Sequence, residues 1–194
     1  MRILAATNNK NKLEEIRRIL EPLGISIVCP EDLGLDIEVD ETGSTFAENA
    51  FLKAKAFYEQ SGLPSLADDS GLCIDAMAGR PGVHSARYLG KSAIYQQRFL
   101  AILEELKNIP PPRRTARFAC AICCVLSEET ILRCEGTCEG MIGQRPAGGG
   151  GFGYDPLFYV GEKSFAQLTK EEKDAISHRG KALREFAALL EKVI

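Results

Sequence analysis

The stretch Arg2-Ile3-Leu4-Ala5-Ala6-Thr7-Asn8-Asn9-Lys10-Asn11-Lys12-Leu13-Glu14-Glu15-Ile16-Arg17-Arg18-Ile19-Leu20 decides the fold class. Arg2 to Ala6 has strand character with Ile3 to Ala6 apolar, and from about Lys12 the apolar positions change period. Leu13, Ile16, Ile19 and Leu20 then share one face of a helix. A strand handing over to a helix through a polar turn is an α/β beginning. The same turn is where free backbone N–H groups and the helix dipole attract anions. Thr7, Asn8, Asn9, Lys10, Asn11 and Lys12 crowd it, although the stretch by itself also reads as a capped helix start with solvated lysines.

Downstream the alternation continues. A short strand, Ile25 to Cys29, precedes an acidic irregular stretch through Asp36, Glu38, Asp40 and Glu41 to Gly43. Thr45 and Glu48 have the spacing of a capping box, which starts a helix running to Gln60 with Asn49 and Lys53 on one face. Strand-like segments surround Asp68-Asp69-Ser70-Gly71, Gly79-Arg80-Pro81-Gly82 marks a tight turn, and Ser92 is expected to cap a helix reaching Lys107. Residues 115 to 127 and 130 to 137 read as an antiparallel pair, which makes the sheet mixed. The last helix carries Leu183, Phe186, Leu190 and Val193 on one face, with Gly180 expected to weaken it near its start.

The chain has 194 residues, 45% of them hydrophobic, which fits one two-lobed domain over residues 1–194. A net charge of -3 argues against a broad nucleic-acid footprint and leaves room for a small anion held by a few local cations. No apolar run approaches the roughly 20 residues that span a bilayer, and no signal-peptide pattern opens the chain, so a soluble, cytoplasmic protein is expected.

Seven cysteines include Cys120, Cys123, Cys124, Cys134 and Cys138, which superficially resemble zinc-ligand clusters. On a strand, however, Cys120 and Cys123 point to opposite faces, and no Gly or Pro supplies a turn between them. Core packing is the expectation.

Chemistry gathers at three further places. Asp68 and Asp69 end a short apolar segment and are followed by Ser70 and Gly71, a combination suited to oxygen ligation of magnesium with Glu41 or its acidic neighbours, or to polarising water. The alternative is a turn with exposed acids. Gly148 to Pro156 (GGGGFGYDP) contains the spacing G-x-G-x-x-G, but Asp155 before Pro156 opposes a helix start, so no dinucleotide fingerprint results. The loop instead delivers Phe152, Gly153, Tyr154 and Asp155 to one place, as base stacking requires, or tucks Phe152 into the core. Lys173, His178 and Arg179 lie near the start of the last helix.

Six blocks in order resemble the inosine triphosphatase-like purine nucleotide pyrophosphatases: Thr7 to Lys12, TFAENAFLKAKA (Thr45 to Ala56), LADDSGL (Leu66 to Leu72), GRPGVHSARY (Gly79 to Tyr88), GGFGYDPLF (Gly150 to Phe158) and KDAISHRGKAL (Lys173 to Leu183). The resemblance covers nearly the whole chain. It implies a long mixed sheet bent between two lobes with flanking helices, a nucleotide cleft between the lobes, and a homodimer. It also implies hydrolysis of inosine, deoxyinosine and xanthosine triphosphates to monophosphate and pyrophosphate with Mg²⁺, a cleansing of the nucleotide pool. Thr7, Asn9 and Lys12, with their neighbours Asn8, Lys10 and Asn11, would hold the triphosphate, and Lys53 would add charge near the scissile phosphate. Asp69 would be the acid–base residue and, with Glu41, a metal ligand, while Asp68 and Ser70 support the site. Phe152, Gly153, Tyr154, Asp155, Lys173, His178 and Arg179 would surround the base. The rivals are a Maf-like pyrophosphatase, whose Ser-x-Ser-Pro-Arg start is missing at Thr7-Asn8-Asn9-Lys10, and a non-catalytic nucleotide- or zinc-binding module.

Overall fold

The computed structural model describes residues 1–193. Among the described residues, seven strands and five α-helices follow one another, alternating as far as α3: β1 (Arg2–Ala5), α1 (Lys10–Leu20), β2 (Ser26–Val28), α2 (Phe46–Ser61), β3 (Ser65–Ile74), α3 (Tyr95–Glu105), β4 (Thr115–Val125), β5 (Ile131–Ile142), β6 (Phe158–Val160), β7 (Lys163–Ser164), α4 (Lys170–Ile176) and α5 (His178–Leu190). The strands form one sheet in the order β2-β1-β3-β4-β5-β6-β7. β1 runs parallel to β2 and β3, with Ile3 opposite Ile27 and Leu4 opposite Ser65. β4 and β5 form the expected antiparallel hairpin: the Leu126 N–H donates to Thr130 at its tip and the Ile142 N–H to Arg114 at its base, both at 2.9 Å. β6 and β7 continue antiparallel, so the sheet is mixed.

The chain groups into two compact units. The first contains Met1–Asp69, Cys120–Gly136 and the described residues from His178 onward; the second contains Ser70–Ala119 and Thr137–Ser177. In unit 1 the period-2 alternation of the strands loads two cores. Ile3, Ala5, Leu66, Cys120, Ile122 and Cys124 face Ile16 and Leu20 of α1 and Leu183, Phe186 and Leu190 of α5. Leu4, Ala6, Ala67, Ala121, Cys123 and Val125 face Ala50, Ala54 and Phe57 of α2. Each fully buried Leu or Phe contributes about 1.5–3 kcal/mol, and Phe186→Ala would cost about 3–5 kcal/mol. In unit 2 the core is aromatic, with the Phe118, Phe158 and Phe165 rings 4.7 to 5.7 Å apart.

Cys120 and Cys123 thus pack on opposite faces, and burial pushes the thiols up, Cys134 to about 12. Three local expectations are corrected. α3 begins at Tyr95, not under Ser92, because the Gln97 side chain accepts from the Ile94 N–H and sets the helix start there. The final helical region breaks at Ser177, whose extended backbone separates α4 from α5, whereas Gly180 lies within α5. Val193 lies beyond α5 and is exposed, so its apolar face is Leu183, Phe186 and Leu190.

Candidate functional site

In unit 1, the turn after β1 is organised by its own side chains. Asn9 is the N-cap of α1: its side-chain oxygen accepts from the Asn11 and Lys12 N–H groups at 3.0 and 3.2 Å, and the Thr7 hydroxyl oxygen accepts from the Asn9 N–H at 3.1 Å. The helix therefore starts at Lys10, two residues before the apolar period becomes visible. Asn8, Lys10 and Asn11 are exposed, and Thr7, Asn8 and Lys10 line a recess of about 130 Å³ with Leu13, Cys29, Pro30 and Glu31.

Lys12 Nζ reaches Asp68 Oδ2 at 3.1 Å. The same oxygen receives Arg179 Nε and Nη2 at 3.1 and 2.9 Å, and Arg179 Nη1 bonds Glu15 at 2.5 Å. Glu15, Asp68 and Arg179 are all buried, which joins α1, β3 and α5 through two negative and two positive charges once Lys12 is counted. Burial alone would raise Asp68, but Arg179, Lys12 and Lys53 outweigh it and hold the carboxyl far below the ordinary range.

The next residue faces the other way. Asp69 Oδ1 lies 3.3 Å from Lys53 Nζ and Asp69 Oδ2 lies 3.2 Å from Asn49 Nδ2. Asn49 and Lys53, one turn apart on α2, therefore take one oxygen each. The capping box that starts α2 forms as expected: the Thr45 hydroxyl accepts from Glu48 N–H while Glu48 accepts from Thr45 N–H. Lys53 Nζ also meets Glu41 at 2.9 Å, so the carboxylates of Glu41 and Asp69 converge on one cationic point. Burial, reinforced by Glu41, raises Asp69 above its ordinary value despite opposition from Lys53, Lys12 and Asn49. Burial opposes the charge on Lys53, but Asp69, Asp68 and Glu41 together keep the ammonium protonated beyond its usual range.

In unit 2, Asp155 organises the glycine-rich loop. Its Oδ2 accepts from the Phe152 N–H at 2.8 Å and from Lys173 Nζ at 2.6 Å. Lys173 Nζ lies 4.6 Å from the centroid of the Phe152 ring, a cation–π contact, and both Lys173 and Asp155 are buried. Gly151 has φ +67, and a Cβ there would stand 2.1 Å from Asp155 Oδ2, so the turn that delivers Phe152 requires glycine. The turn from 151 to 157 contains no helix start. Gly153 also has positive φ, and Ser70 is half-buried on β3.

Two of the side chains expected near the base have partners within the protein. Tyr154 is a core residue of unit 2, its hydroxyl donating to the Ser85 carbonyl at 2.9 Å and its ring edge-on to Tyr95. Arg179 is the buried counter-ion of Asp68 and Glu15 in unit 1, which leaves Lys173 as the cation beside Phe152. His178, the first residue of α5, is buried in unit 1 against the backbone of Gly136, where a Cβ would come 2.2 Å from the His178 carbonyl. Sequence reasoning missed Glu15, whose signal is a carboxylate one turn after Lys12 on the flank of the apolar stripe, and gave Asn49 no task.

The arrangement pairs a cation-rich helix start with two converging carboxylates, and separately offers an aromatic ring beside an ammonium. The chain is similar to known proteins over nearly its whole length. The Ham1 family model matches residues 3–189. A dITP/XTP pyrophosphatase of Shigella flexneri is 48% identical over 187 residues, covering 94% of each chain. The structure of the Staphylococcus aureus Ham1 protein superposes with a TM-score of 0.88 at 37% identity, covering 100% of both chains. A HAM1 protein from Coxiella burnetii gives 0.89 at 42%, covering 99% of both. On the family match and on this identity across nearly the full length, the chain belongs to the Ham1 family.

Proposed function

We propose that the protein hydrolyses non-standard purine nucleoside triphosphates, those of inosine, deoxyinosine and xanthosine, to the monophosphate and pyrophosphate. The observation that carries this reading is the convergence of Glu41 and Asp69 on Lys53 Nζ within a chain 48% identical to a dITP/XTP pyrophosphatase. The triphosphate is received by unit 1, where Thr7, Asn8, Asn9, Lys10, Asn11 and Lys12 present polar groups and positive charge at the start of α1. The base is received by unit 2, where it stacks on Phe152. An ammonium donor at Lys173 favours an acceptor oxygen at the purine 6-position over the amino group of adenine, which would leave the buried donor unmatched. The molecule works as a cytoplasmic homodimer, as the family resemblance implies.

Magnesium fits the residues present. Glu41 and Asp69 already hold a cation, the Lys53 ammonium, between two hard oxygen donors. Among the described residues no three His, Cys, Asp or Glu side chains form a cage. Its remaining ligands would be water and phosphate oxygens, the usual company of Mg²⁺. When bound, it supplies charge neutralisation on the phosphates and lowers the pKa of a bound water. Asp69, with its raised pKa, takes the proton of the attacking water at a carboxylate oxygen. Lys12 and Lys53 neutralise the charge that develops as pyrophosphate leaves. Asp68, held as an anion by Arg179, fixes Lys12 and takes no proton.

Pyrophosphate release from a panel of inosine, deoxyinosine, xanthosine, adenosine, guanosine and thymidine triphosphates, with Mg²⁺ and with chelator, tests the reading. Magnesium-dependent release from the first three is expected. Activity confined to thymidine triphosphate, or none at all, would overturn it.

A further inference from the structure

Asn49 is completely buried on α2 and belongs to neither the phosphate-binding nor the base-binding set. Its two polar ends are committed in opposite directions. The side-chain oxygen accepts from the Gly43 N–H at 2.8 Å, and Nδ2 donates to Asp69 Oδ2 at 3.2 Å. Chemistry dictates this orientation: a backbone N–H can only donate and an ionised carboxylate can only accept, so the amide has one way to lie. Gly43 is two residues from Glu41, on a segment without regular secondary structure that needs a side chain to hold it. One amide therefore ties the irregular segment carrying Glu41 to the strand carrying Asp69. By occupying Oδ2, it leaves Oδ1 directed at the point that Glu41 also faces.

The fit is close. A Cβ on Gly43 would come within 2.7 Å of both Asn49 Oδ1 and Glu48 Cβ, so the segment can approach α2 this tightly only with glycine.

We propose that Asn49 is a positioning residue for the divalent cation: it sets the distance between the carboxylates of Glu41 and Asp69, and so determines how tightly the pair holds the metal. This rests on the reading that the two carboxylates ligate magnesium. Asn49 reaches the site only through Gly43 and Asp69, so its loss acts on metal dependence before nucleotide affinity. Asn49→Ala removes both bonds. Asn49→Asp keeps the acceptor for Gly43 but turns a carboxylate oxygen toward Asp69, which is repulsive. Gly43→Ala pushes the same clamp apart from its other end without touching Asn49.

The test is Mn²⁺ binding, followed by electron paramagnetic resonance in the presence of a non-hydrolysable inosine triphosphate analogue, together with the Mg²⁺ concentration giving half-maximal turnover at saturating inosine triphosphate. Asn49→Ala and Gly43→Ala should each raise both constants about tenfold, and Asn49→Asp more, with the KM for nucleotide at saturating Mg²⁺ changed less than threefold. Phe57→Leu, a substitution in the core of the same helix, serves as the structural control and should lower the melting temperature while leaving metal affinity in place. Unchanged metal constants in the folded Asn49→Ala protein would overturn the proposal. If that variant does not fold, Gly43→Ala decides by the same criterion. An equal shift in Phe57→Leu would also overturn it, by showing general loosening of α2. If the unaltered protein shows no divalent-cation requirement, it is the magnesium reading that fails.

Discussion

Asp68 and Asp69 are neighbours on β3, yet they live in opposite electrostatic worlds, because a strand sends consecutive side chains to opposite faces. On the α1–α5 face, Asp68 is met by Arg179 and Lys12, and the surplus charge of Arg179 is absorbed by Glu15. On the α2 face, Asp69 shares one lysine with Glu41 and receives one amide. The first carboxylate is compensated and its pKa falls; the second is under-compensated and its pKa rises. A buried ion set that is fully paired serves structure, and removing one member strands the rest. A carboxylate left short of positive charge is suited to receive a proton or a cation. One dipeptide thus divides stability and chemistry between two faces of the same strand.

The most severe way to break the comparison is to exchange the roles. Asp69→Asn keeps the size of the side chain and one of its two acceptor oxygens but removes the carboxylate that takes the proton, and kcat should fall by about 10²–10⁴-fold, the usual share of general-base catalysis. Its melting temperature should be equal to or above that of the unaltered protein, since a charge disfavoured by burial has gone. Turnover near normal would remove Asp69 from the mechanism. Asp68→Asn should do the reverse in emphasis: urea unfolding should show a loss of about 3–5 kcal/mol, as expected when one partner of a buried pair is removed. A loss below 1 kcal/mol would mean that the network with Arg179 contributes little to the fold.

How much of this was legible in the sequence follows the same divide. The strand-to-helix opening, the capping box at Thr45, the hairpin at 126–130 and the opposed cysteines follow from local periods and caps, and each took the expected form. Divergence of Asp68 and Asp69 was also legible, since it needs only the pitch of a strand. Which of them meets Arg179 was not. That contact joins residues 111 positions apart, and nothing in the spacing of Lys173, His178 and Arg179 reveals that Ser177 breaks the helix and sends Arg179 to Asp68 and Lys173 to Asp155. Tyr154 shows the same limit: nothing local to a glycine-rich loop reveals that its hydroxyl meets a distant carbonyl, that of Ser85.

Acid titration of stability sharpens the contrast with smaller effects. Asp68 has a folded pKa below its ordinary 3.8, so the stability it contributes is fully present above that value and is lost as pH falls through the folded pKa. Asp69 has a folded pKa above its ordinary 3.8, so its contribution is present below that value and is lost as pH rises through the raised one. Between pH 7 and pH 4 the urea midpoint of Asp68→Asn should therefore lie below that of the unaltered protein by a constant margin, which begins to shrink only at the acid end, toward pH 3. The advantage of Asp69→Asn should be greatest at pH 7 and shrink toward pH 4. The same pH dependence in both variants would mean that the two faces are not electrostatically distinct.

The smallest effect tests whether the Asp69 face depends on the end of its helix or only on its middle. Thr45→Ala removes the hydroxyl that accepts from Glu48 N–H, and the loss of such a cap is worth about 0.5–2 kcal/mol, typically about 1. Asn49 closes the first turn, its N–H bonding the Thr45 carbonyl, and Lys53 sits one turn further on; Ala50, Ala54 and Phe57 anchor α2 in the core there, so loss of the Thr45 hydroxyl alone should not displace them. The urea midpoint should drop while kcat stays within about twofold, because a helix loses its order from the end inward and the interior turns keep their packing. A large fall in kcat would give a different answer: Glu48, which also bonds the N–H and hydroxyl of Ser44, would be holding the segment that carries Glu41 and Gly43. The capping box would then belong to the chemistry of the Asp69 face as much as to the helix it starts.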